Sequence, residues 1–163
     1  MNRMRTHTRS TTDAFDSLSV RYTQGLRSSR IHTRREKPLP GRSNIYGAIL
    51  YCTHTNRYAR VQGHETGKWS FPKGHVNRYE TPFECVIREV REETGIDSLP
   101  MPREGIPLGV GYYYSFIVPD EILLIPEDTR EVQTAGWFSI EEMRDMRLNI
   151  DASTFVRSKC QMW

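Results

Sequence analysis

A chain of 163 residues, 37% hydrophobic, is sized for one domain that buries about two thirds of the surface its unfolded chain exposes, and its longest purely aliphatic run, Ile122 to Ile125, is far below the ~20 apolar residues of a membrane-spanning helix. Three cysteines (Cys52, Cys85, Cys160) share no CxxC spacing, which argues against a disulfide framework or a zinc knuckle and for reduced thiols in a cytoplasmic setting. The formal charge of +3 hides a split: residues 1–43 carry nine Arg and Lys37 against Asp13, Asp16 and Glu36, a net of +7, and the rest carries −4, so an anionic partner suits the first part and a cation site the second.

Residues 1–43 are rich in Arg, Ser and Thr without a sustained apolar period, and read as a flexible basic arm. A short helix through Ala14 to Tyr22 fits within it. The arm suits a solvated tail, an RNA contact or an organelle transit peptide over residues 1–30, although Asp13 and Asp16 interrupt the acid-poor pattern of the last. Lys37-Pro38-Leu39-Pro40-Gly41 marks a linker. The folded domain is expected over residues 44–148, with a short C-terminal tail over 149–163.

Within the domain, Ile45 to Tyr51 is an apolar run bounded by polar residues and predicts a buried strand, with Tyr58 to Gln62 as its partner. Ser70 to His75 reads as a tight turn. Thr81-Pro82-Phe83-Glu84 has the cap, first-turn proline and capping-box acid of a helix start, and Gly95 supplies its end. At ~100° per residue the helix between them puts Phe83, Val86, Ile87 and Val90 on a core stripe and Glu89, Glu92 and Glu93 on an arc beside it. A long strand is expected from Leu108 to Val118 and a short one from Thr134 to Phe138. Ser139 to Glu142 forms a second capping box, opening a helix to about Met146.

Three carboxylates on adjacent turns repel one another, and on an arbitrary helix they form a solvated face. Here they follow a Pro-Lys-Gly turn, and clustered carboxylates are what hard divalent cations such as Mg²⁺ need. Gly74, Glu80 and the run Arg88-Glu89-Val90-Arg91-Glu92-Glu93-Thr94-Gly95-Ile96 match the Nudix box at every prescribed position, a coincidence with odds on the order of 10⁻⁷ to 10⁻⁸ from average composition. The chain thus resembles the Nudix hydrolases. The resemblance implies an α/β fold: an α/β/α sandwich with a mixed sheet and a loop-helix-loop that presents divalent cations to a diphosphate. It implies Glu89, Glu92 and Glu93 as ligands of Mg²⁺ or Mn²⁺, with Gly74 letting the loop approach the metal, Arg88 orienting the carboxylates, and Glu93 and Arg88 taking part in catalysis. Lys73 and Glu80 are the expected substrate contacts.

The segments Ile45 to Leu50, Trp69 to Gly74, Glu84 to Val90 and Thr129 to Glu141 resemble the catalytic domain of the Dcp2 family of mRNA-decapping enzymes. That likeness implies capped RNA as substrate, release of methylguanosine diphosphate, and Glu131 as a candidate general base or further metal ligand. Two features depart from it. The basic RNA-gripping helix that follows the domain in that family has only Arg157 and Lys159 as counterparts, which leaves the Arg-rich arm as the source of RNA contacts. His75 after Pro72-Lys73-Gly74 resembles the diadenosine-polyphosphate hydrolases instead; the diphosphoinositol phosphohydrolases fit less well, and a non-catalytic binding module fits poorly because all four box glutamates are present. Trp69, Tyr112, Tyr113, Tyr114 and Trp137 could stack a base, but packing is the commoner role for such rings, and Tyr113 must face away from Tyr112 and Tyr114. No base-stacking residue is identifiable from the sequence.

Overall fold

The apolar run that opens the domain forms the central strand of a mixed sheet. In the computed structural model, which describes residues 44–160, β1 (Ile45–Cys52) pairs in parallel with β6 (Gly111–Val118), from Tyr46 opposite Tyr112 to Cys52 opposite Val118. Tyr46, Ala48, Leu50 and Cys52 enter one buried cluster and Ile49 the other. Burial on both faces is why the strand reads as a continuous apolar run instead of an alternation. The expected partner is β2 (Arg57–Gly63), antiparallel to β1 but only at Tyr51–Tyr58 and Cys52–Arg57. Beyond those pairs the hairpin splays: β3 (Trp69–Ser70) takes the edge of β2, and β4 (Lys73–His75) that of β1. β5 (Glu104–Leu108) extends the sheet past β6, and β7 (Val132–Phe138) pairs with β2. The basic arm, its candidate helix and the linker lie outside the described residues.

Helix α1 (Pro82–Thr94) begins and ends as predicted. The Thr81 hydroxyl accepts from Glu84 N–H, the Glu84 carboxylate takes Thr81 N–H, and Gly95 closes the helix at φ 75°. Its buried stripe differs from the expected one. Val86 and Val90 are buried, but Ile87 is 39% exposed, whereas Cys85, Glu89 and Glu93 turn inward. The helix is rolled toward its carboxylates because Gly74 leaves room for one of them: a Cβ there would overlap the Glu89 carboxylate.

Three other expectations need correction. The single strand from Leu108 to Val118 is a hairpin, β5–β6, since Gly109 adopts the left-handed φ of 55° at the turn and a Cβ on it would strike Asp151. Ser70 to His75 is not one tight turn; β3 and β4 flank the buried Phe71 and Pro72. The segment expected as a tail carries α3 (Ile150–Cys160), which follows α2 (Ile140–Arg144). Asn149 caps α3, its side chain accepting from Ala152 N–H at 2.9 Å. Phe155 packs edge-on against Phe71 and Tyr58, and the buried Asp151 accepts from the Tyr113 hydroxyl and from Val110 N–H. The folded unit therefore extends beyond residue 148, to Cys160.

The layers follow from these contacts. α1 covers the sheet face of Ala48, Leu50, Phe116 and Trp137, and Ile140 of α2 and Phe155 of α3 cover the face of Ile49, Phe71, Leu108 and Tyr113. The expected α/β/α sandwich on a mixed sheet is what forms. No described helix is long and apolar enough to cross a membrane.

Candidate functional site

Arg88 organises the acidic end of α1. Its guanidinium grips Glu80 with two bonds, Nε to Oε1 at 2.8 Å and Nη2 to Oε2 at 3.0 Å. Nη1 donates to Glu89 Oε1 at 2.6 Å and to Glu92 Oε2 at 3.0 Å, and Nη2 also reaches the His75 carbonyl at 3.0 Å. One planar fork thus holds three carboxylates and the end of β4, a geometry a lysine could not reproduce. Bonding to Glu80 foremost pushes the Arg88 pKa above its ordinary value, and the same bond lowers that of Glu80.

Where β1 and β2 part, a cleft of about 680 Å³ opens, with Gly74, Glu89 and Glu93 among its lining. Glu93 Oε2 accepts from Lys73 N–H at 2.9 Å. Burial pushes the Glu93 carboxyl up to about 8, against the pull of that bond. Burial also raises Glu89, opposed by Arg88, and Glu131 contributes to the rise of both. Glu131 stands across the cleft on an exposed loop tied at both ends: Glu127 and Asp128 N–H donate to the Glu92 carbonyl at the end of α1, and the Glu131 carbonyl accepts from His64 N–H. Lys68, Lys73 and Arg130 supply positive charge on the same walls.

This donor set fits a hard divalent cation. It offers oxygen alone, from two inward-turned carboxylates whose charged forms are disfavoured by burial and would be stabilised by a bound cation. No three His, Cys, Asp or Glu side chains among the described residues converge tightly enough to hold an ion as they stand, because Arg88 takes Glu89 Oε1 and draws Glu92 along the helix.

Of the residues picked out in the sequence, Gly74, Lys73, Arg88, Glu89, Glu93 and Glu131 all line the cleft. Two do not. Glu80, expected as a substrate contact, lies outside the lining with its carboxylate bonded to Arg88 and to Asn77 N–H at 2.9 Å. Glu92 lies beside the cleft with its carboxylate on Arg88. Sequence reasoning missed His64, Lys68 and Asn149, which the structure adds to the lining. They come from the β2–β3 turn and the start of α3, and only the pairing of β3 with β2 and with residue 148 brings those segments to the box.

Fold and site together define an α/β/α sandwich enzyme scaffold with a glutamate-rich helix at a cleft, built to set carboxylates against phosphates. The NUDIX domain profile matches residues 47–158, and the chain belongs to the Nudix hydrolase family. Among proteins it is similar to, the mRNA decapping complex subunit 2 of Schizosaccharomyces pombe is 39% identical over 123 residues, 72% of this chain and 16% of that protein. The m7GpppN-mRNA hydrolase of Saccharomyces cerevisiae is 40% identical over 53 residues, 32% of this chain and 6% of that protein. The chain matches only 6% to 29% of the length of such decapping relatives. A crystal structure of a Caenorhabditis elegans Ap4A hydrolase binary complex superposes with a TM-score of 0.55 at 20% identity, covering 72% of this chain and 96% of that one, a likeness of fold.

Proposed function

We propose that the protein hydrolyses a phosphoric anhydride bond in the triphosphate bridge of capped RNA, water adding to one phosphorus, so that methylguanosine diphosphate leaves and the RNA keeps a 5′ monophosphate. The observation that carries this reading is the cleft itself, lined by Glu89, Glu93 and Glu131 together with Lys68, Lys73 and Arg130. Phosphates meet the bases directly and the acids through a cation. The likeness to decapping proteins over up to 72% of the chain supports RNA as the bearer of that bridge.

Glu89 and Glu93 would hold Mg²⁺ or Mn²⁺, with Glu92 joining once released from Arg88. A bound divalent cation supplies charge neutralisation of the phosphate oxygens and lowers the pKa of a water. The residues of the chain do the rest. Lys73 meets a phosphate as a point charge while its backbone N–H orients Glu93. Arg88 fixes Glu89 and Glu92 in register. Glu131, anchored through His64 and the end of α1, takes a proton from the attacking water as general base. The reaction is set in the cytoplasm, a compartment suited to free thiols such as Cys52 and Cys85.

His75 on the cleft wall keeps a dinucleoside polyphosphate as the second reading. The test is Mg²⁺- or Mn²⁺-dependent product release from RNA with a labelled methylguanosine cap, run beside diadenosine tetraphosphate, with Glu92→Gln and Glu93→Gln controls. Methylguanosine diphosphate released by the unaltered protein and not by the variants is the expected result. Cleavage of the dinucleotide alone would replace capped RNA by the second reading.

A further inference from the structure

No Phe, Tyr or Trp is among the described residues that line the cleft. The rings considered as base-stacking candidates are engaged elsewhere: Trp69 meets Phe138 at 4.8 Å, Tyr112 meets Tyr114 at 5.5 Å, and Tyr113 is fully buried against Phe71. The planar groups on the wall include the smaller His64 and His75 rings and the Arg130 guanidinium, so a large ring for a base attached to a phosphate in the cleft has to come from beyond the wall.

The lip of the cleft offers one. Glu80 N–H bonds to the Asn77 carbonyl at 3.1 Å, and Asn77 N–H to Glu80 Oε2 at 2.9 Å, closing a turn with Arg78 and Tyr79 at its two central positions. One end of the turn, Asn77, lines the cleft. The other, Glu80, is clamped in two bonds to Arg88. The turn is thus fixed to the same arginine that orients the box glutamates. At its tip Tyr79 is 84% exposed, more than any other exposed large hydrophobic residue described. The Arg78 guanidinium lies 5.2 Å from the ring centroid, so one face is steadied by a cation and the other is open to solvent. Removing that ring from water would be favourable, and the ring contact it has among the described residues is with Arg78.

We infer that Tyr79, backed by Arg78, is a stacking platform for a nucleobase of the RNA whose 5′ diphosphate sits in the cleft. The inference rests on the diphosphate reading of the cleft. A ring presented to every base without hydrogen-bond readout tolerates any sequence, and stacking on it is worth about 5- to 150-fold in affinity per base. Arg78 adds a phosphate contact and a cation over the ring. Tyr79 is two positions along the chain from Asn77 of the cleft lining, which suits a base at the 5′ end of the strand.

The test uses the full chain in Mg²⁺ buffer and an RNA decamer with a 3′ fluorophore and a methylene-bridged 5′ diphosphate, which resists hydrolysis; binding is read by anisotropy. Tyr79→Ala is expected to weaken binding at least fivefold, and Tyr79→Phe to keep it within twofold. An abasic sugar at one of the first two positions should weaken binding to the unaltered protein by the same factor as Tyr79→Ala, and should cost Tyr79→Ala less than a further twofold. That non-additivity is the signature of a direct contact. Equal abasic losses on both proteins would overturn the platform while leaving the cleft reading intact. If omitting the 5′ diphosphate from the decamer leaves affinity for the unaltered protein unchanged, the cleft reading fails and the platform with it.

Discussion

Each face of the sheet carries an arginine, and the two are accommodated in opposite ways. On the α1 face Arg88 is partly open to solvent and bonded to Glu80, Glu89 and Glu92 and to the His75 carbonyl. On the α3 face Arg60 is fully buried and has no carboxylate partner among the described residues. Its guanidinium lies 3.3 Å over the Phe71 ring, and its Nε and Nη2 reach only the Met143 sulfur, at 3.0 and 2.8 Å. Its Nη1 has no partner. The comparison teaches where charge is used. Beside the cleft, acids outnumber their arginine, and the surplus is available to a cation; under α3 the buried Arg60 has no carboxylate bonded to it, and the buried Asp151 is bonded to Tyr113 and Val110 instead.

The largest expected effect lies on the α1 face. Glu93→Gln keeps the shape of the side chain and removes its charge, so turnover should fall at least about 10²-fold. Thermal unfolding in metal-free buffer should move upward, because burying the Glu93 carboxylate is unfavourable. A variant with lost turnover and lowered stability would mean that Glu93 is a structural acid. On the α3 face the acid has the reverse assignment. Asp151→Ala strands the Tyr113 hydroxyl and Val110 N–H and should lower stability by about 3 kcal/mol in urea unfolding. Next in size comes Arg88→Lys. A lysine keeps the charge but not the fork, and turnover should drop about tenfold with little change in substrate affinity. An equal loss in both faces' stability assays, with turnover intact, would erase the contrast.

Most of the α1 face was legible in the sequence, and less of the α3 face. Thr81, Pro82, Glu84 and Gly95 act locally, each within a turn of the backbone group it satisfies, so the start and end of α1 could be read directly. The box spacing then delivered Glu89, Glu93 and Arg88 to the cleft. What the helical wheel misjudged was the roll of α1, because the feature that decides it, Gly74 on another strand, is not encoded in the helix. The bonding of Glu80 to Arg88 was hidden for a similar reason: the two residues stand eight positions apart, across the start of α1. α3 was hidden because its inward side mixes Asp151 with Ala152, Phe155 and Val156, and a buried aspartate reads as solvent-facing until Tyr113 is seen to donate to it. Lys68 and Asn149 carry no local signal at all; their place in the lining follows from strand pairing at Trp69.

The smallest expected effect is also the clearest test of the contrast. Burial pushes the Arg60 pKa down to about 9, yet at neutral pH the group stays charged, and the desolvation of that charge is offset only by sulfur and ring contacts. Replacing an unpaired buried charge with an apolar side chain of similar length removes the desolvation without opening a large cavity. Arg60→Met should therefore stabilise the protein by about 1 kcal/mol in urea unfolding, with the thioether packed between Phe71 and Met143. Turnover should be unaffected, since Arg60 does not line the cleft. Arg60→Ala is the informative companion: it removes the same charge but leaves a void beside Phe71 and Phe155, and should destabilise. If Met destabilises as much as Ala, the guanidinium's contacts with the Phe71 face and the Met143 sulfur outweigh its burial. In that case the α3 face, like the α1 face, is built around its arginine.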